Sequence, residues 1–571
     1  MVVIMKQNTA FVNKKRSQLD GLFIRLIVDY FFMQSYLKKN WIAFLVLTAV
    51  ILIAYFNSFN NGFMSDDISI LQKNPNLTFS YFLQPPLRIM HNLFVFISYK
   101  MGYNVPFFYR IINILFHIGT AWAVYFLFSL LLNPVVAFFS AMIFAVHPIL
   151  VESVAWISGG VYVQYSFFII TSLICYILSK KNARLYPVSI GLFLLSLFTA
   201  ADKAIVYPLI LFVYELSQKS LRKNWKKLIA YFILSFLVAG YYFFGGDVAY
   251  RFLEIKTSYY QDRSFFNPLI QIPVAITSYL QLIFWPDKLT LYHSEMSFGQ
   301  IEYLIRMIGL IGLICLIGYC WKKNKQLFFW LLFFIISLLP TLTPFGISWI
   351  VAERYVYLGS IGVIGVIGYV LGGIMQNKKT EGIGYMIFII IILGLMTRTI
   401  MRNMDWKNED TLWIATGKTS PSDPKTHNNL GDVYGRWGNL KLSAEEFKIA
   451  IQLNPRYADA YHNLGNTYQQ MGSSSAALEQ YQLALKYNPN LWQSHQNIAA
   501  IYFSQKEYER AEQSIIKAIQ VFPNNPQLHV NLGTIYLFMK DRVKAEKEFY
   551  NALSIDPNNQ QAKLGLLELR R

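Results

Sequence analysis

The sequence predicts an all-α protein that consists of a polytopic transmembrane domain and a C-terminal superhelix of repeats. Hydrophobic residues make up 54% of the 571 residues and charged residues only 15%, a balance typical of proteins that cross a bilayer several times. After residue 400 the long apolar runs give way to a pattern that returns every 34 residues, which is the period of tetratricopeptide helix pairs. We therefore divide the chain into an N-terminal cytoplasmic or interfacial segment, a transmembrane domain, a linker and a repeat domain: 1–40, 41–400, 401–420 and 421–571.

About eleven apolar runs in the transmembrane domain are long enough to cross a bilayer, which takes about 20 helical residues. Their approximate cores are 41–57, 107–132, 135–151, 160–179, 185–200, 203–217, 228–246, 302–320, 327–343, 353–375 and 383–399. A further run, 269–285, would break the alternation of inner and outer loops, so we interpret it as a re-entrant or surface helix. The stretch 20–34 is apolar but interrupted by charges, which favours an interfacial helix.

The net charge of +19 comes largely from short loops, and positive loops mark the cytoplasmic side of a membrane protein. Such pairs include Lys180 and Lys181, Arg222 and Lys223, and Lys322 and Lys323. The alternation of runs predicts a cytoplasmic N-terminus and, after an odd number of spans, an extracytoplasmic repeat domain. We therefore predict a multi-pass protein of the inner or plasma membrane that contacts membrane lipid and binds no nucleic acid.

The repeat domain is recognised from residues that return every 34 positions. They are Pro455, Pro489, Pro523 and Pro557, and Tyr434, Tyr468, Tyr502 and Tyr536. Four units and a final helix over 560–571 predict a short superhelix, and the concave face of a solenoid is where such proteins bind their partners.

An asparagine occupies the same place in the first helix of every unit. The four residues, which we call the amide ladder, are Asn429, Asn463, Asn497 and Asn531. Packing of the helix pair does not need an amide there, and asparagine is a poor helix former, whereas its side chain offers two donors and an acceptor. We predict that the ladder binds the backbone of an extended acceptor peptide. The alternative is an ordinary surface residue without a ligand.

Two adjacent aspartates, Asp66 and Asp67, follow the first apolar run. Ionisable side chains at a membrane are costly to hold and usually mark a functional site. Neighbouring residues of an extended loop point in opposite directions, so we expect one carboxylate to act as general base while the other orients a group or holds a cation. The alternative is a surface loop that happens to be acidic.

The predicted topology brings further polar residues to the same outer face as the aspartates. Arg88, Lys203 and Arg354 are candidates for binding a phosphate, because a guanidinium or ammonium group complements phosphate oxygens. Supporting roles are expected for His147, Glu152, Asp202 and Glu353. The alternatives are a structural histidine at a helix end and a salt bridge that seats a helix.

Several other kinds of site are not supported by the sequence. It contains no Gly-rich nucleotide loop, no metal-spaced set of Cys or His and no Ser-centred nucleophile motif. Cys175, Cys315 and Cys320 all lie in apolar runs and predict neither a disulfide framework nor a metal site. A soluble sugar-nucleotide site is therefore not expected, and the metal requirement stays unknown.

Three stretches resemble, in the same order, the motifs of one family. They are Gly62–Asp67, His147–Ala155 and Ala352–Leu358. Together with the repeats, they make the chain similar to the transmembrane and tetratricopeptide-repeat-containing O-mannosyltransferases and their prokaryotic relatives. The resemblance implies the type C glycosyltransferase fold, assigns Asp66 and Asp67 to the acidic pair of the first outer loop, and implies sugar transfer from a polyprenyl-phosphate carrier to Ser or Thr hydroxyls outside the cytosol.

We therefore expect a membrane glycosyltransferase that moves mannose or another hexose from a polyprenyl-phosphate carrier to a protein acceptor held by the repeats. In this mechanism one aspartate takes the acceptor proton, and Arg88, Lys203 and Arg354 stabilise the leaving phosphate. Apart from the lipid-linked donor no cofactor is implied, and a divalent metal is left open. The alternatives are a non-catalytic membrane scaffold that recruits partners through its repeats, and a transferase whose acceptor is a glycan or a lipid.

Overall fold

A computed structural model describes residues 40–72, 77–244, 267–291, 293, 299–342, 351–375 and 378–570. All regular secondary structure in these residues is helical, as the sequence predicts. They divide into two compact units, a membrane unit that ends at Asn408 and a repeat unit that begins at Glu409 and includes a short stretch after Leu289. The predicted interfacial helix over 20–34 lies outside the described residues.

The membrane unit is built from long apolar helices. Those long and apolar enough to cross a bilayer are Asn40–Ser58, Pro106–Leu131, Gly160–Leu178, Leu185–Ala204, Gln300–Lys323, Glu353–Met375 and Glu381–Asp405. Pro134–Val146 and Pro148–Ala155 form a pair bent by 50°, which makes an eighth candidate if the pair is one span. The other helices of ten or more residues in this unit are Ile89–Gly102, Tyr207–Ser217, Leu221–Phe244, Pro268–Phe284 and Lys325–Leu338.

Each of the eleven predicted cores overlaps a helix of this unit. By length and composition the described residues supply seven or eight spans, so the predicted count of eleven depends on whether the shorter helices also cross. The helix predicted over 269–285 is present as Pro268–Phe284. The segment 401–420, predicted as a linker, contains the end of one helix, a short turn and the helix Glu409–Thr419.

Small residues allow the helix that follows the third sequence motif to pack closely against its neighbours. A Cβ atom at Gly362 or Gly365 would lie 2.6 Å from the backbone or ring of Trp330, and one at Gly372 would lie 2.6 Å from Val136. Close approach at small residues is a common way for membrane helices to associate. This packing fixes the helix Tyr357–Met375, whose N-terminal end joins the Glu-Arg pair of the motif.

The repeat unit contains four helix pairs and a final helix. Their bounds are Pro424–Arg436 and Leu440–Leu453, Ala458–Gln470 and Ser474–Tyr487, Trp492–Ser504 and Tyr508–Val521, Pro526–Phe538 and Arg542–Ile555, and Gln560–Arg570. The turn inside each pair requires a residue with positive φ at one fixed position, occupied by Gly438, Gly472, Lys506 and Lys540. Glycine adopts this conformation without strain, and the chain uses it in the first two units.

Candidate active site

The loop that leads to the acidic pair is fixed by Arg110, which is fully buried. Its Nη1 donates to the carbonyl of Asn61 (2.8 Å) and its Nη2 to the carbonyl of Gly62 (3.1 Å). The Nε atom donates to the carbonyl of Ala155 (2.7 Å). The N–H of Gly62 in turn donates to the carbonyl of Lys407 (2.8 Å). One guanidinium fork thus joins three backbone carbonyls, and the loop is held from two sides.

The two aspartates differ in exposure, since Asp67 is fully buried and Asp66 is exposed. Asp67 Oδ1 accepts hydrogen bonds from the N–H (3.0 Å) and the hydroxyl of Ser158, and Oδ2 accepts from the N–H of Met64 (3.4 Å). Burial raises the pKa of Asp67 from 3.8 to about 6, and these hydrogen bonds oppose the shift. Asp67 therefore holds the loop, while Asp66 presents its carboxylate to solvent.

Ser158 belongs to a tight turn, residues 156–160, that packs against the buried Asn113. The Nδ2 atom of Asn113 donates to the carbonyls of residues 156 (3.2 Å) and 157 (3.3 Å). A Cβ atom at Gly160 would lie 1.9 Å from Asn113 Oδ1, so the turn requires glycine there. The amide of Asn113 therefore sets the position from which Ser158 reaches Asp67.

Sequence reasoning missed Arg110, Asn113 and Ser158. Arg110 lies inside a predicted span, and an ionisable residue at that depth is by itself a signal of function or of a specific structural partner. A Ser-Gly-Gly sequence after an apolar run signals a turn, but no sequence rule pairs Ser158 with an aspartate 91 residues earlier.

A cationic group lies on the other side of this turn. The N–H of Arg354 donates to Glu152 Oε2 (2.7 Å), and its Nη1 pairs with Oε1 of the same carboxylate. The guanidinium carbon lies 5.5 Å from the ring centre of Trp156 and 5.0 Å from that of Tyr355. Glu152 is fully buried, whereas 13% of the Arg354 side chain stays exposed. A guanidinium paired in this way retains further N–H donors for an anion.

Lys203 joins this group through two tyrosines. Its Nζ atom lies 2.5 Å from Asp202 Oδ2 and 5.1 Å from the ring centre of Tyr162. The ring centre of Tyr162 in turn lies 6.0 Å from that of Tyr355. The ring pair therefore bridges the two cations, Lys203 and Arg354, which together with their acidic partners we call the cationic cluster.

The segment 152–162 contacts both the stretch 62–67 that carries the two aspartates, which we call the acidic loop, and the cationic cluster. Ser158 of this segment hydrogen-bonds Asp67. Glu152 and the tryptophan of the segment contact Arg354, and its tyrosine contacts Lys203. Residues that are far apart in sequence are therefore brought together at one end of the helices by a single short segment.

Two of the expected supporting residues have structural contacts. Glu353 Oε1 accepts from Arg402 Nη2 (3.1 Å), and Arg402 also donates to Asp405 (3.1 Å). His147 Nε2 donates to the carbonyl of Ile283 (2.9 Å), and its Nδ1 accepts the N–H of the residue two positions later (3.3 Å). Both residues are buried, so in this structure they support neighbouring segments and do not line an open site.

Arg88 is exposed and forms no ion pair with any other described residue. It ends the turn Pro86–Arg88, which packs against the helix that carries the Asp-Lys pair of the cationic cluster. In the helix that follows, His91 Nδ1 and Gln164 Oε1 form a hydrogen bond (2.9 Å). Gln164 lies two residues after Tyr162, whose ring contacts Lys203. The role of Arg88 in binding phosphate stays a prediction.

All four residues of the amide ladder are half-buried. Their contacts within the repeat unit are Asn429 to the Lys425 carbonyl (2.7 Å), Asn463 to Asn428 (3.1 Å), Asn497 to Asn466 (2.8 Å) and Asn531 to Gln527 (3.0 Å). An amide side chain has two donors and an acceptor, so these bonds use only part of its capacity. Peptide binding by the ladder stays a prediction.

No group of three or more His, Cys, Asp or Glu side chains among the described residues could hold a metal ion. Asp66 is exposed beside a buried partner whose two oxygens already accept hydrogen bonds. The divalent metal that the sequence leaves open stays a prediction.

The apolar helices, the buried charged groups and the helix pairs define a polytopic membrane protein with a tetratricopeptide-repeat domain. Family models described as TPR repeat and tetratricopeptide repeat match residues 437–472, 458–491, 493–525 and 526–559. The crystal structure of MamA aligns with 28% of this chain and 94% of its own, at 22% identity and a TM-score of 0.25.

The chain is similar to Protein O-mannosyl-transferase F38B6.6 of Caenorhabditis elegans, at 25% identity over 449 residues, and to Protein O-mannosyl-transferase TMTC3 of Homo sapiens, at 23% over 479 residues. Each alignment covers 72% of this chain, but only 63% and 51% of the relatives' own length. These relatives confirm the predicted resemblance: the chain is similar to the transmembrane and tetratricopeptide-repeat-containing O-mannosyltransferases.

Proposed function

We propose that the chain is a membrane glycosyltransferase that moves mannose from a polyprenyl-phosphate carrier to Ser or Thr hydroxyls of extracytoplasmic proteins. The names of its relatives, which are protein O-mannosyl-transferases, support mannosyl transfer to protein. The observation that supports an active site in this chain is the segment 152–162, which contacts both the acidic loop and the cationic cluster.

In the proposed reaction Asp66 is the general base. The acceptor oxygen attacks the anomeric carbon of the sugar, its proton passes to the Asp66 carboxylate, and the bond between that carbon and the phosphate oxygen breaks. Asp66 has this role because its carboxylate is exposed, whereas both oxygens of Asp67 accept hydrogen bonds. Asp67 is thus a positioning residue that fixes the loop, and a base in this position contributes about 10²- to 10⁴-fold.

The leaving polyprenyl phosphate takes the bonding electrons, and its charge is stabilised by Arg354 and Lys203. Both cations are already paired with carboxylates and only 13% and 12% exposed, so the phosphate shares them with their partners. Arg88 is the exposed cation on the adjoining turn and provides a third contact. Groups that are fixed before the charge develops need no reorganisation during the reaction.

The repeats hold the acceptor polypeptide in this proposal. The amide ladder hydrogen-bonds the peptide backbone, which carries no side-chain information, so acceptors of different sequence are accommodated.

The protein lies in the inner or plasma membrane with its N-terminus in the cytoplasm and the repeats outside. A reporter fused after residue 571 should then be active only outside the cytoplasm, and cytoplasmic activity would contradict this topology.

The test of the function uses the purified chain in lipid nanodiscs with radiolabelled polyprenyl-phosphate-mannose and a Ser/Thr-rich secreted protein. We expect label on the protein, and mass spectrometry should locate a hexose on Ser or Thr. The matched polyprenyl-phosphate-glucose donor tests the sugar. Binding of the protein without transfer from either donor would favour the scaffold, and label on lipid or glycan would favour the other acceptor class.

A further inference from the structure

A cavity of about 500 Å³ lies at the C-terminal end of the repeat unit, between the helices Pro526–Phe538 and Gln560–Arg570. This volume falls within the range of about 300–1,000 Å³ that is usual for ligand pockets. Asn531, the last residue of the amide ladder, lines the cavity. The cavity therefore includes the last position of the ladder.

One wall of the cavity is polar. Gln527, Asn531 and Thr534 follow one another at the spacing that places residues on one face of a helix, and all three line the cavity. Gln527 Nε2 donates to Asn531 Oδ1 (3.0 Å), and no described residue accepts a hydrogen bond from Asn531 Nδ2. That amide nitrogen is therefore a donor for a ligand carbonyl.

Accessible apolar side chains also line the cavity. Leu564, on the helix Gln560–Arg570, is 63% exposed, and Phe538, on the same helix as the polar wall, is 57% exposed. The ring of Phe538 is held by Phe503 at 4.9 Å and by Tyr508 at 5.9 Å between ring centres. This ring is thus fixed before a ligand arrives, which reduces the entropy lost on binding.

The floor of the cavity is the ring of Phe549, which is buried beneath two glycines. A Cβ atom at Gly565 would lie 2.4 Å from this ring, and one at Gly533 would lie 2.8 Å from it. At the rim, Glu568 is exposed and is the one charged residue of the lining. An apolar floor with a single carboxylate at its edge complements an apolar side chain beside a cation.

We propose that this cavity binds an apolar side chain, aromatic in preference, of the extended polypeptide whose backbone the amide ladder holds, with a basic residue of the same polypeptide beside Glu568. The proposal rests on the proposed binding of protein acceptors by the repeats and names a sequence preference for them. The occupant is a polypeptide because Asn531 is common to the cavity and the ladder, and because apolar side chains and amide groups line the same cavity.

The test measures binding to the full chain in nanodiscs without any sugar donor, so that its outcome is independent of transfer. Fluorescent peptides share an extended Ser/Thr-containing stretch and differ at two neighbouring positions: Phe-Lys, Ala-Lys and Phe-Glu. We expect the Kd to rise about 10-fold or more from Phe-Lys to Ala-Lys, the scale of losing one buried apolar side chain, and less from Phe-Lys to Phe-Glu.

Leu564→Ala should raise the Kd of the Phe-Lys peptide and leave that of Ala-Lys nearly unchanged. Leu567→Ala is the matched control, because Leu567 lies on the same helix and is 56% exposed but does not line the cavity. Equal Kd values for the three peptides would overturn the proposal. So would an equal effect of the two variants, or a Leu564→Ala variant that changes only the self-association of the chain. Tight, sequence-dependent binding in this test, together with no transfer from either donor in the nanodisc assay of the proposed function, would retain the cavity and reject the transferase.

Discussion

The membrane unit and the repeat unit hold their polar residues in different ways. In the membrane unit, Asp67 bonds a residue 91 positions away and Glu152 bonds one 202 positions away. In the repeat unit, Asn463 and Asn497 bond partners 35 and 31 positions away, which is about one period. The first unit is tied together by unique long-range contacts, whereas each amide of the ladder bonds within its own helix or to the preceding repeat.

This difference predicts two kinds of response to mutation. A contact of the membrane unit has no second copy, so no equivalent contact compensates for its loss. A repeat contributes one term among several, since the stability and the binding surface of a solenoid are approximately sums over repeats and their interfaces. We therefore expect steep effects at single positions of the membrane unit and graded effects along the ladder.

The largest effect is expected for Asp66→Asn, which keeps the size of the side chain and removes its basicity. Transfer should fall by about 10²-fold or more, as for the loss of a general base. Folding should be unchanged because the side chain is exposed. The rate of transfer to a protein acceptor, measured with saturating lipid donor, checks this prediction.

Asp287→Asn is the control for this experiment. Asp287 is also an exposed aspartate of the membrane unit, and it follows the helix Pro268–Phe284. It should retain full transfer. A fully active Asp66→Asn variant would remove the catalytic assignment of Asp66 and favour the scaffold, and an equal loss in both variants would point to a general effect of surface charge.

A graded effect is expected when the ladder is shortened. Changing Asn463, Asn497 and Asn531 to Ala one after another removes ligand hydrogen bonds worth about 0.5–1.5 kcal/mol each. The triple variant should therefore lose roughly 10- to 10³-fold in affinity for a protein acceptor, while a short peptide that cannot reach the repeats should react as before. Steady-state kinetics with both acceptors checks this prediction.

Two outcomes would contradict the graded response. If a single substitution caused the whole loss, the repeats would behave like the membrane unit, and the proposed contrast would fail. If protein and short peptide lost efficiency equally, the asparagines would be structural. Their contacts within the repeat unit are the physical basis of that alternative.

The sequence predicts the repeat unit better than the membrane site because periodicity carries three-dimensional information. A residue that returns every 34 positions occupies an equivalent place in each unit, so Asn429 and Asn531 are correctly expected on equivalent helices. The membrane helices are likewise predicted by their apolar length. Whether each shorter helix crosses the bilayer depends on neighbours and tilt, which a single sequence does not encode.

The membrane site is predicted only in part. The predicted topology places Glu152, Lys203 and Arg354 on one face, and in the structure these residues belong to one cluster. It does not reveal that Asp67 is buried against Ser158, because that pairing depends on a turn shaped by Asn113 and Gly160. Long-range contacts between non-periodic segments leave no local signal in the chain.

A moderate effect is expected for Ser158→Ala, which removes the hydroxyl donor to Asp67. Transfer should fall by roughly 10-fold, the scale of one hydrogen bond to a charged group, and Ser158→Thr should restore it by returning the hydroxyl. This hydrogen bond opposes the rise of the Asp67 pKa that burial causes. Its loss should therefore raise that pKa further and move the acid limb of the pH–rate profile above about pH 6. Profiles of all three proteins check both effects.

Protonation of Asp67 does not favour unfolding, so unfolding through this residue does not explain the loss of activity on the acid side of the pH–rate profile. The pKa of Asp67 in the folded protein, about 6, lies above its ordinary value of 3.8, so the folded state binds this proton more readily than the unfolded state. The contribution of Asp67 to stability therefore increases as pH falls from about 6 to about 4. Loss of activity in this window with unchanged melting temperature would support a role for the ionised carboxylate, and an acid limb that is the same in Ser158→Ala would count against it.

The smallest effect tests the local character of the repeats. A Cβ atom at Gly431 would lie 2.7 Å from the ring of Phe447, whereas the equivalent positions two units later are Ala499 and Ile515, both buried. Gly431→Ala should destabilise this helix pair by about 1–3 kcal/mol through overpacking, partly offset by the better helix propensity of Ala. Adding Phe447→Ile makes room for the methyl group and should recover part of the loss.

Hydrogen-exchange mass spectrometry of the full chain measures this effect in the helices Pro424–Arg436 and Leu440–Leu453. Gly435→Ala is the matched control in the first of them, because its Cβ would meet Ser443 Oγ at 3.3 Å, a contact that a hydroxyl relieves by rotating. Protection should fall in the first helix pair for Gly431→Ala, return in part for the double variant and stay unchanged for the control. The membrane unit and the last repeat should exchange as before. Additive losses in the double variant would mean that the glycine–aromatic contact does not set this packing, and reduced protection across the whole repeat unit would show that the repeats do not respond locally.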